Sequence, residues 1–503
     1  MQAVIALDIG TTGTKAALVE QNGRLLVSGY AGYETYAHSG DRIEQEPSAW
    51  WQATRDALAQ LRQVADLRAH DLVGIALSGQ MQDLILVGTG DAIGRAILYS
   101  DTRAKREAQE IDSQIDGEEL LHLTGNTQDA SSVLAKWRWL QMHEPDRLTA
   151  TRTILLGAHS YVSWRLCGVA SCDYTTASTT GLLNLNENEW ATQLLERLGL
   201  DAQKLPRLAP AHEQIGTLTT TVARELVLPA GLPVFAGAGD LAAATVGVGA
   251  GEPNRSYCYL GTSGWIASTS PDTVQFSASD AGNGIFTLRH PDRQRLIRVA
   301  PMLTAGGNLE WVRGKIAEGM DYAQLNATAE QSPIGSNGTI YLPYLNGERS
   351  PFHDPNARAC YIGISNQTDR ADLIRAVMEG VCFGYRSLFE ALGTTAETLY
   401  VVGGGAKSTI WMQILADVLA RELQVVSQPE NAAAHGAAII AGRELGWYET
   451  YAPPGLFHVT RSYEPRESAC ATYEAQYGVF AAVYPQLKST FTNLLNTQPN
   501  RLT

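Results

Sequence analysis

Short apolar runs that end in glycine-rich turns stand out at the start of the chain. Residues 3–8 form one such run, residues 14–20 form a second, and Asn22-Gly23 is a strong hairpin signal before residues 24–30. Asparagine and glycine readily adopt the positive φ angles that a two-residue hairpin turn needs. The pattern therefore predicts an antiparallel meander of three strands, not a strand followed directly by a helix.

The rest of the chain alternates between segments with strand and with helix periodicity. Apolar runs predict further strands at residues 72–77, 84–87, 234–238 and 256–260 and at Val401-Val402. Apolar residues spaced three and four apart predict helices that begin at Pro47, Thr368, Ser408 and Asn431. Strands that alternate with helices favour an α/β fold.

A four-residue turn recurs half-way along the chain. Gly10-Thr-Thr-Gly13 and Gly261-Thr-Ser-Gly264 each follow an apolar strand, and they lie about half the chain length apart. A strand and turn that recur at this spacing indicate two related halves. In a chain of 503 residues this predicts two domains, at residues 1–247 and 248–503.

Composition limits the kind of partner that the chain can bind. Lys and Arg number 38 and Asp and Glu number 52, which gives a net charge of −14. So acidic a chain argues against a nucleic acid or an anionic membrane as the partner. A local pocket for a small phosphate ligand remains compatible with this charge.

Cysteine usage and the N-terminus bear on the compartment. The six cysteines form neither C-x-x-C pairs nor a zinc spacing, which is typical of buried thiols in a reducing compartment. The first residues lack the basic segment of a signal peptide, and no stretch reaches the roughly 18 apolar residues of a membrane span. We therefore expect a cytoplasmic protein without a membrane segment.

The two Gly-Thr turns are candidate phosphate sites. Asp8 ends the first strand beside one turn, where a carboxylate can hold a metal ion while turn N–H groups and Thr hydroxyls hold phosphate oxygens. Two such turns that face each other across a cleft would suit a triphosphate. The alternative for Asp8 and its turn is a plain hairpin.

Gly239-Asp240 and Gly403-Gly-Gly-Ala406 follow the ends of apolar strands. Asp240 could accept a proton from a substrate hydroxyl, or it could be the N-cap of the helix-like run that follows. The glycine run lets backbone approach a flat ligand such as adenine, or it is only a tight strand-to-helix turn. It is not a P-loop, since Ala406 stands where that motif needs glycine.

Two polar segments interrupt apolar surroundings in the first half. Residues 78–83 fit a sugar pocket, with a bulge or hairpin turn as the alternative. Asp101 and Arg103, with Tyr99 nearby, form a polar and aromatic cluster whose alternative is a solvated helix start. The ten histidines are scattered, and none is assigned a catalytic role.

Taken in order, these motifs resemble the FGGY carbohydrate kinases, most closely the xylulose kinase branch, over nearly the whole chain. Each motif is modest, but their order and spacing together are specific. The motifs are Asp8-Ile-Gly-Thr-Thr-Gly-Thr-Lys15, residues 44–51, Ser78-Gly-Gln-Met81, Lys136-Trp-Arg-Trp139, Gly239-Asp240, Leu260-Gly-Thr-Ser-Gly264, residues 342–351, residues 359–364, residues 372–379 and Gly403-Gly-Gly-Ala406.

The resemblance implies a fold and an activity. It implies two actin-like (ribonuclease H-type) ATPase domains that flank a catalytic cleft, with the sugar mainly on the first domain and ATP mainly on the second. The implied reaction is ATP-dependent phosphorylation of a primary hydroxyl of a sugar, most closely a ketopentose such as D-xylulose. Mg²⁺ would accompany ATP, and the family often forms homodimers.

The resemblance also implies roles for individual residues. Asp240 would be the general base, and Asp8 would act through Mg²⁺, so that these two carboxylates form the catalytic and metal-binding set. The remaining predicted site residues bind phosphate (Thr11, Thr12, Gly261, Thr262), adenosine (Gly404, Gly405) or the sugar (Met81, Gln82, Asp101, together with Asp240).

Departures from the xylulose kinase pattern lie at the predicted sugar site. Gln82 stands where His is usual, Asp83 where Gly is usual, and Leu241 where Asn follows the catalytic Asp. Exchanging a buried polar contact for leucine can change substrate choice by about 10²-fold or more. Another ketose, a polyol or a modified pentose is therefore an alternative to D-xylulose.

Two further classes stay open. One is a non-catalytic sugar-binding relative, against which the intact Asp8 and Asp240 argue. The other is an ATPase of the wider actin-like superfamily, such as a chaperone. The polar segment at residues 78–83 and the lack of a large peptide-binding domain argue against that class.

Overall fold

The structure, a computed structural model, describes residues 1–38, 41–271 and 282–497. Its strands are β1 (Gln2–Ile9), β2 (Gly13–Glu20), β3 (Leu25–Gly32), β4 (Tyr36–His38), β5 (Arg42–Gln45), β6 (Asp71–Gly79), β7 (Met81–Val87), β8 (Ala96–Ile97), β9 (Thr153–Gly157), β10 (Ser171–Asp173), β11 (Leu183–Asn184), β12 (Glu189–Trp190), β13 (Arg207–Ala209), β14 (Gln214–Thr217), β15 (Pro233–Phe235), β16 (Ala238–Gly239), β17 (Arg255–Leu260), β18 (Gly264–Pro271), β19 (Phe286–Arg289), β20 (Arg295–Met302), β21 (Ile340–Leu342), β22 (Cys360–Ile362), β23 (Thr398–Val402), β24 (Glu422–Val426) and β25 (Val459–Tyr463).

Its helices are α1 (Pro47–Val64), α2 (Lys105–Gln114), α3 (Gly117–Thr124), α4 (Val133–His143), α5 (Pro145–Ala150), α6 (Ala158–Cys167), α7 (Tyr174–Ser178), α8 (Thr192–Arg197), α9 (Thr220–Leu226), α10 (Asp240–Gly247), α11 (Gly306–Lys315), α12 (Tyr322–Ala329), α13 (Arg370–Leu392), α14 (Thr409–Leu419), α15 (Ala432–Glu444) and α16 (Glu467–Asn496).

The opening meander is confirmed. β1 pairs antiparallel with β2, and β2 pairs antiparallel with β3. On its other side β1 pairs in parallel with β6, which makes it a central strand of a sheet ordered β14-β15-β6-β1-β2-β3. Every residue of β1 from Ala3 to Leu7 is fully buried, as expected of a strand covered on both faces.

The second half repeats this topology. β17, β18 and β20 form an antiparallel meander, and β17 pairs in parallel with β23, as β1 does with β6. The sheet order is β19-β20-β18-β17-β23-β24-β25. Two halves with the same strand pairing confirm the repeat that the two Gly-Thr turns predict, and they form the two-domain α/β fold.

Additional elements surround these two sheets. A five-stranded sheet, β4-β5-β8-β7-β9, lies in the first half, and its inner residues pack with the helices between Ala104 and Leu200. In the second half the long helix α13 runs through the largest apolar cluster, with Phe383 and Leu388 fully buried. The opposite residues of β7 and β9 join the core of the first seven-stranded sheet, so the two sheets of the first half share apolar packing.

The two halves meet where α10 packs against α15. A Cβ atom on Gly247 would lie 1.8 Å from the Ala432 carbonyl oxygen, and one on Gly436 would lie 1.8 Å from the Ala243 oxygen. Only glycine allows backbones to approach so closely. Since α10 begins at Asp240, this contact ties a predicted catalytic residue to the second half.

Some local predictions are corrected. The cap of α13 is Asp369, not Thr368, because the Asp369 and Asp372 side chains form a reciprocal capping box while the Thr368 hydroxyl accepts from the Ser365 N–H. Residues 234–238 form parts of two strands instead of one, since Gly237 interrupts them with a φ of 81°. The Ala-rich helix begins at Ala432, one residue after the predicted Asn431.

No helix among the described residues is both long and apolar enough to cross a membrane. All six cysteines are free thiols, and Cys172, Cys258 and Cys382 are buried. Burial raises the pKa of all three thiols, which keeps them protonated and unreactive.

Candidate active site

Three neighbouring strands of the first sheet end at the same edge. Asp8 on β1 lies beside Ser78 on β6, and Ser78 lies beside Ala238 on β16. Asp240 follows β16 directly. With roughly 4.8 Å between adjacent strands, Asp8 and Asp240 are brought to one edge about two strands apart. The structure thus joins two predicted residues that are far apart in sequence.

Asp240 occupies the first position of α10. It is not the N-cap that one interpretation of the sequence predicts: Gly239 holds that position, and no side chain caps the helix. Burial and, after it, the charge of Asp8 together raise the pKa of Asp240 to about 7, against the opposing effects of the Leu241 N–H and of His159. A carboxyl group with this pKa can exchange a proton near neutral pH.

Asp8 presents an unused oxygen to the same edge. Its Oδ1 atom is buried and has no hydrogen-bond partner among the described residues. Burial raises the Asp8 pKa, against the Ser78 hydroxyl and the charges of Lys15 and His159. An orphan buried carboxylate oxygen is costly unless a ligand occupies it, so Asp8 could hold a cation.

The Gly10–Gly13 turn is held from several sides. The Gly10 N–H donates to the Gly13 carbonyl oxygen (3.1 Å), and the Tyr30 hydroxyl donates to the Thr12 carbonyl oxygen (3.0 Å). The Gln45 amide donates to the Thr11 carbonyl oxygen (2.7 Å). Because its carbonyl groups accept these hydrogen bonds, the turn holds the half-buried Thr11 and the exposed Thr12 in fixed positions at the sheet edge.

In the second half, a cavity of about 770 Å³ opens at the corresponding sheet edge. Its lining includes Gly261 and Thr262 from the turn after β17, and Gly404 and Gly405 from the turn after β23. Four residues predicted to bind the nucleotide therefore share one cavity. Its volume lies in the range of small-molecule and cofactor sites.

Close backbone packing shapes this cavity. Gly403 has a φ of 103°, and a Cβ atom there would lie 2.4 Å from the Leu260 carbonyl oxygen. The start of α11 sits against the other turn, where the Gly306 N–H donates to the Gly261 carbonyl oxygen (2.7 Å). A Cβ atom on Gly306 would lie 2.5 Å from that oxygen, so glycine is required there.

Of the predicted sugar residues, Met81 lies next to the residue before Asp240, and Gln82 follows it in the chain. A Cβ atom on Gly239 would lie 2.0 Å from the Met81 sulfur, so Met81 packs directly against the residue before Asp240. Gln82 has a φ of 61°, and its amide donates to the Ser131 carbonyl oxygen (3.2 Å). The pairing of β7 with β9 shifts register between Met81 and Ile85. The pairing is therefore irregular between Met81 and Ile85, as the bulge alternative for this segment expects.

Asp101 lies in a closed polar network instead of at an open surface. It is fully buried, and both carboxylate oxygens are occupied: Arg103 donates to both, at 2.9 and 2.7 Å, and the Ile43 N–H donates to Oδ2 at 2.6 Å. Arg103 also pairs with Glu44 at 2.6 Å. In this arrangement Asp101 has no free oxygen to offer, so its role in sugar binding stays a prediction.

Comparison with known proteins shows the family to which this chain belongs. The pattern described as the FGGY family of carbohydrate kinases, N-terminal domain, matches residues 3–247, and that of the C-terminal domain matches residues 256–445. The chain belongs to the FGGY family of carbohydrate kinases. As an FGGY kinase it is an ATP-dependent sugar kinase, with ATP and a sugar as its small-molecule partners.

Relatives of this FGGY kinase carry different substrate names. A xylulose kinase from Bacillus subtilis is 30% identical over 99% of this chain and 100% of that protein, and a gluconokinase from the same organism is 26% identical over 99% of both. The crystal structure of a xylulose kinase from Rhodospirillum rubrum is similar with a TM-score of 0.90, at 28% identity, over 97% of this chain and 100% of that one.

The unpartnered oxygen of Asp8 makes this residue a suitable ligand for Mg²⁺ in this FGGY kinase. Among the described residues no group of three or more His, Cys, Asp or Glu side chains forms a metal site. Mg²⁺ in kinases takes only one or two carboxylates, and substrate phosphates and water complete its shell. The orphan Asp8 oxygen beside Asp240 suits an ion that arrives with the nucleotide.

Sequence reasoning missed two polar pairs behind the site. The buried Lys136 ammonium donates to the Leu98 carbonyl oxygen (2.6 Å), and burial lowers its pKa to about 8 against the charge of Asp83. Asp83 is also buried, and its Oδ2 atom has no partner among the described residues. The sequence signal for this pair was the position of Asp83 within an apolar strand, because a buried carboxylate there needs a partner.

The second missed pair is His159 and Asp173. Both side chains are fully buried, with 2.8 Å between His159 Nε2 and Asp173 Oδ2. Asp173 precedes Tyr174-Thr175-Thr176 and caps α7, which is a recognisable local signal. Nothing local to His159 indicates that its ring reaches that carboxylate.

Proposed function

We propose that this FGGY kinase transfers the γ-phosphoryl group of ATP to a primary hydroxyl of a ketopentose such as D-xylulose, with Asp240 as the general base. The observation that carries the proposal is the half-buried Asp240 carboxyl group, whose pKa is raised to about 7. Its placement next to Met81 and at the same edge as Asp8 supports the assignment.

In the proposed reaction Asp240 accepts the hydroxyl proton as the sugar oxygen attacks the γ-phosphorus. The bond from that phosphorus to the β,γ-bridging oxygen breaks, and ADP leaves. Phosphoryl transfer needs alignment and charge stabilisation more than covalent participation by the protein. Thr11 and Thr12 on one side and Gly261 and Thr262 on the other supply hydroxyl and N–H groups for the phosphates.

The proposal assigns the remaining site residues as follows. Asp8 and Asp240 are the carboxylates that would hold Mg²⁺, which neutralises phosphate charge when it is bound. Gly404 and Gly405 form the wall next to the adenosine, and Met81 and Gln82 line the sugar pocket. The domain limits are proposed at residues 1–247 and 248–503, with the cleft between them.

Substrate identity rests on the relatives and on the departures at the pocket. Xylulose kinases at about 30% identity over nearly the full length favour D-xylulose. The gluconokinase relative, together with Gln82 and Leu241 in place of the usual His and Asn, favours another ketose or polyol as the second candidate. We place the enzyme in the cytoplasm, where ATP is available, and a homodimer stays a prediction.

The decisive experiment is a phosphorylation screen that couples ADP production to an optical signal. The panel contains D-xylulose, other ketoses, aldoses, polyols and gluconate, each with Mg-ATP. The highest kcat/KM with a ketopentose supports the proposal. The highest kcat/KM with a ketose other than a ketopentose, with a polyol or with gluconate selects the second candidate, and no sugar-dependent ADP production would support a non-catalytic relative.

A further inference from the structure

A carboxylate–imidazole pair lies directly behind the start of α10. Asp173 and His159 are both fully enclosed, and Asp173 stays ionised: burial opposes its charge, but bonds from His159 and Thr176 outweigh burial and lower its pKa. A carboxylate can only accept hydrogen bonds, so His159 Nε2 is the donor across the 2.8 Å contact. The pair is a fixed feature of the core.

The second oxygen of Asp173 reaches the backbone of the site. Asp173 Oδ1 accepts the Thr176 N–H at 3.0 Å and the Gly239 N–H at 3.3 Å. Gly239 is the residue before Asp240, and it is the N-cap of α10. Gly239 has no side chain with which to cap α10, and the Asp173 carboxylate instead bonds to the backbone immediately before the proposed base.

His159 in turn has little room to move. A Cβ atom on Gly157 would lie 2.9 Å from Cε1 of its ring, and one on Gly79 would lie 3.1 Å from the His159 Cβ atom. Gly79 ends β6, beside Gly239 of β16. Two glycines thus let the ring fit between β6 and β9, where it bonds to Asp173 Oδ2 while Gly239 bonds to Oδ1.

We propose that Asp173, oriented by His159, is a positioning residue for phosphoryl transfer: it fixes the Gly239 N–H and so places the Asp240 carboxylate against the sugar hydroxyl. This inference rests on the proposed function of Asp240. Misplacement of a reacting group by about 1 Å can cost about 10²-fold in rate. The nucleotide cavity lies on the other domain, so ATP binding should be little affected.

The test compares Asp173→Ala with Asp173→Asn in the sugar-dependent assay. The asparagine oxygen can still accept both N–H groups, and its amide can donate to the other tautomer of His159. We expect D173A to lower kcat by about 10- to 100-fold with an ATP KM within about threefold, and D173N to stay within about threefold of wild type. Equal losses in both variants, or an unchanged kcat in D173A, would overturn the proposal.

A second pair of variants covers the case that D173A does not fold. His159→Gln can keep a donor near the Nε2 position, whereas His159→Ala removes it. We expect a kcat loss of about tenfold in H159A and recovery of most of it in H159Q. No difference between these two variants contradicts the role of His159.

Two controls separate this inference from the proposed function. Asp417→Ala removes another buried carboxylate, which lies on α14, accepts the Arg466 N–H at 2.8 Å and does not line the nucleotide cavity, and it should leave kcat per folded enzyme unchanged. Asp240→Asn is assayed in parallel. If D240N retains turnover, the proposed function fails; if D240N is inactive while D173A is normal, only the positioning role fails.

Discussion

Replacing Asp240 by asparagine should weaken catalysis and strengthen the fold. The side chain keeps its shape but loses the ability to accept a proton, which should cost about 10²–10⁴-fold in kcat. The same change removes a charge that is unfavourable in the folded state, because burial and the nearby Asp8 raise the Asp240 pKa from 3.8 to about 7. The two effects therefore have opposite signs.

The gain in stability has a defined size and pH window. A group whose folded pKa is raised binds more protons in the folded state, so the wild type loses stability as pH rises from about 4 to about 7. At 1.36 kcal/mol per pKa unit, the full shift amounts to about 4 kcal/mol as an upper bound. D240N should escape this loss, so its advantage over wild type should grow across that window and level off above it.

The assays are sugar-dependent ADP production and urea denaturation at several pH values. Wild-type kcat/KM for the sugar should fall about tenfold per pH unit below about pH 7, since only the ionised Asp240 is a base. The control Asp417→Asn breaks the pair of Asp417 with Arg466 and should destabilise the fold instead. A D240N enzyme that is less stable than wild type at pH 8, or that keeps near-normal kcat, would refute the reasoning.

Three further predictions follow from close contacts and from the pocket. Gly306→Ala places a Cβ atom 2.5 Å from the Gly261 oxygen and should raise the ATP KM by roughly tenfold or more in steady-state assays, whereas Gly314→Ala on the same helix meets nothing and should not. Gly436→Ala should lower the free energy of unfolding in urea by about 1–3 kcal/mol, because its Cβ atom would lie 1.8 Å from the Ala243 oxygen; Gly478→Ala in α16 is open and should be neutral or stabilising. Leu241→Asn should change the kcat/KM ratio between D-xylulose and the other sugars of the panel by about tenfold or more, and unchanged ratios would remove Leu241 from the specificity pocket.

The strands and turns of the site could be predicted because their signals are local. The apolar run of β1, the turn at Gly10 and the Gly239-Asp240 step each specify their own conformation, and the recurrence of a Gly-Thr turn at Gly261 indicated the second half. Fully buried parallel strands such as β1 read as continuous apolar runs, so their positions were clear. The prediction that Thr368 caps α13 was wrong, since the choice of Asp369 depends on its reciprocal bonds with Asp372.

The side chains behind the site could not be predicted for a different reason. His159 and Asp173 lie on different elements, and their bond exists only because β9, β10 and α6 pack together around them. Asp101 shows the converse: it carries a plausible sugar-binding side chain, but Arg103 and a backbone N–H already occupy its oxygens. Local sequence specifies which groups are polar, and tertiary packing decides which of them keep a free oxygen.

The distribution of charge at the site explains how a chain with a net charge of −14 can bind the tetra-anionic ATP. The charged side chains that line the described cavity are Glu310 and Lys407, so side-chain charge there cancels. Attraction must come instead from backbone N–H groups at the glycine turns and from the cation that accompanies ATP. In the first half, burial and then the charge of Asp8 raise the Asp240 pKa, and a cation or a proton at this edge would relieve both effects. In the proposed mechanism the closeness of these two carboxylates favours metal-bound over free nucleotide, and together with burial it makes Asp240 basic enough to take a proton near neutral pH.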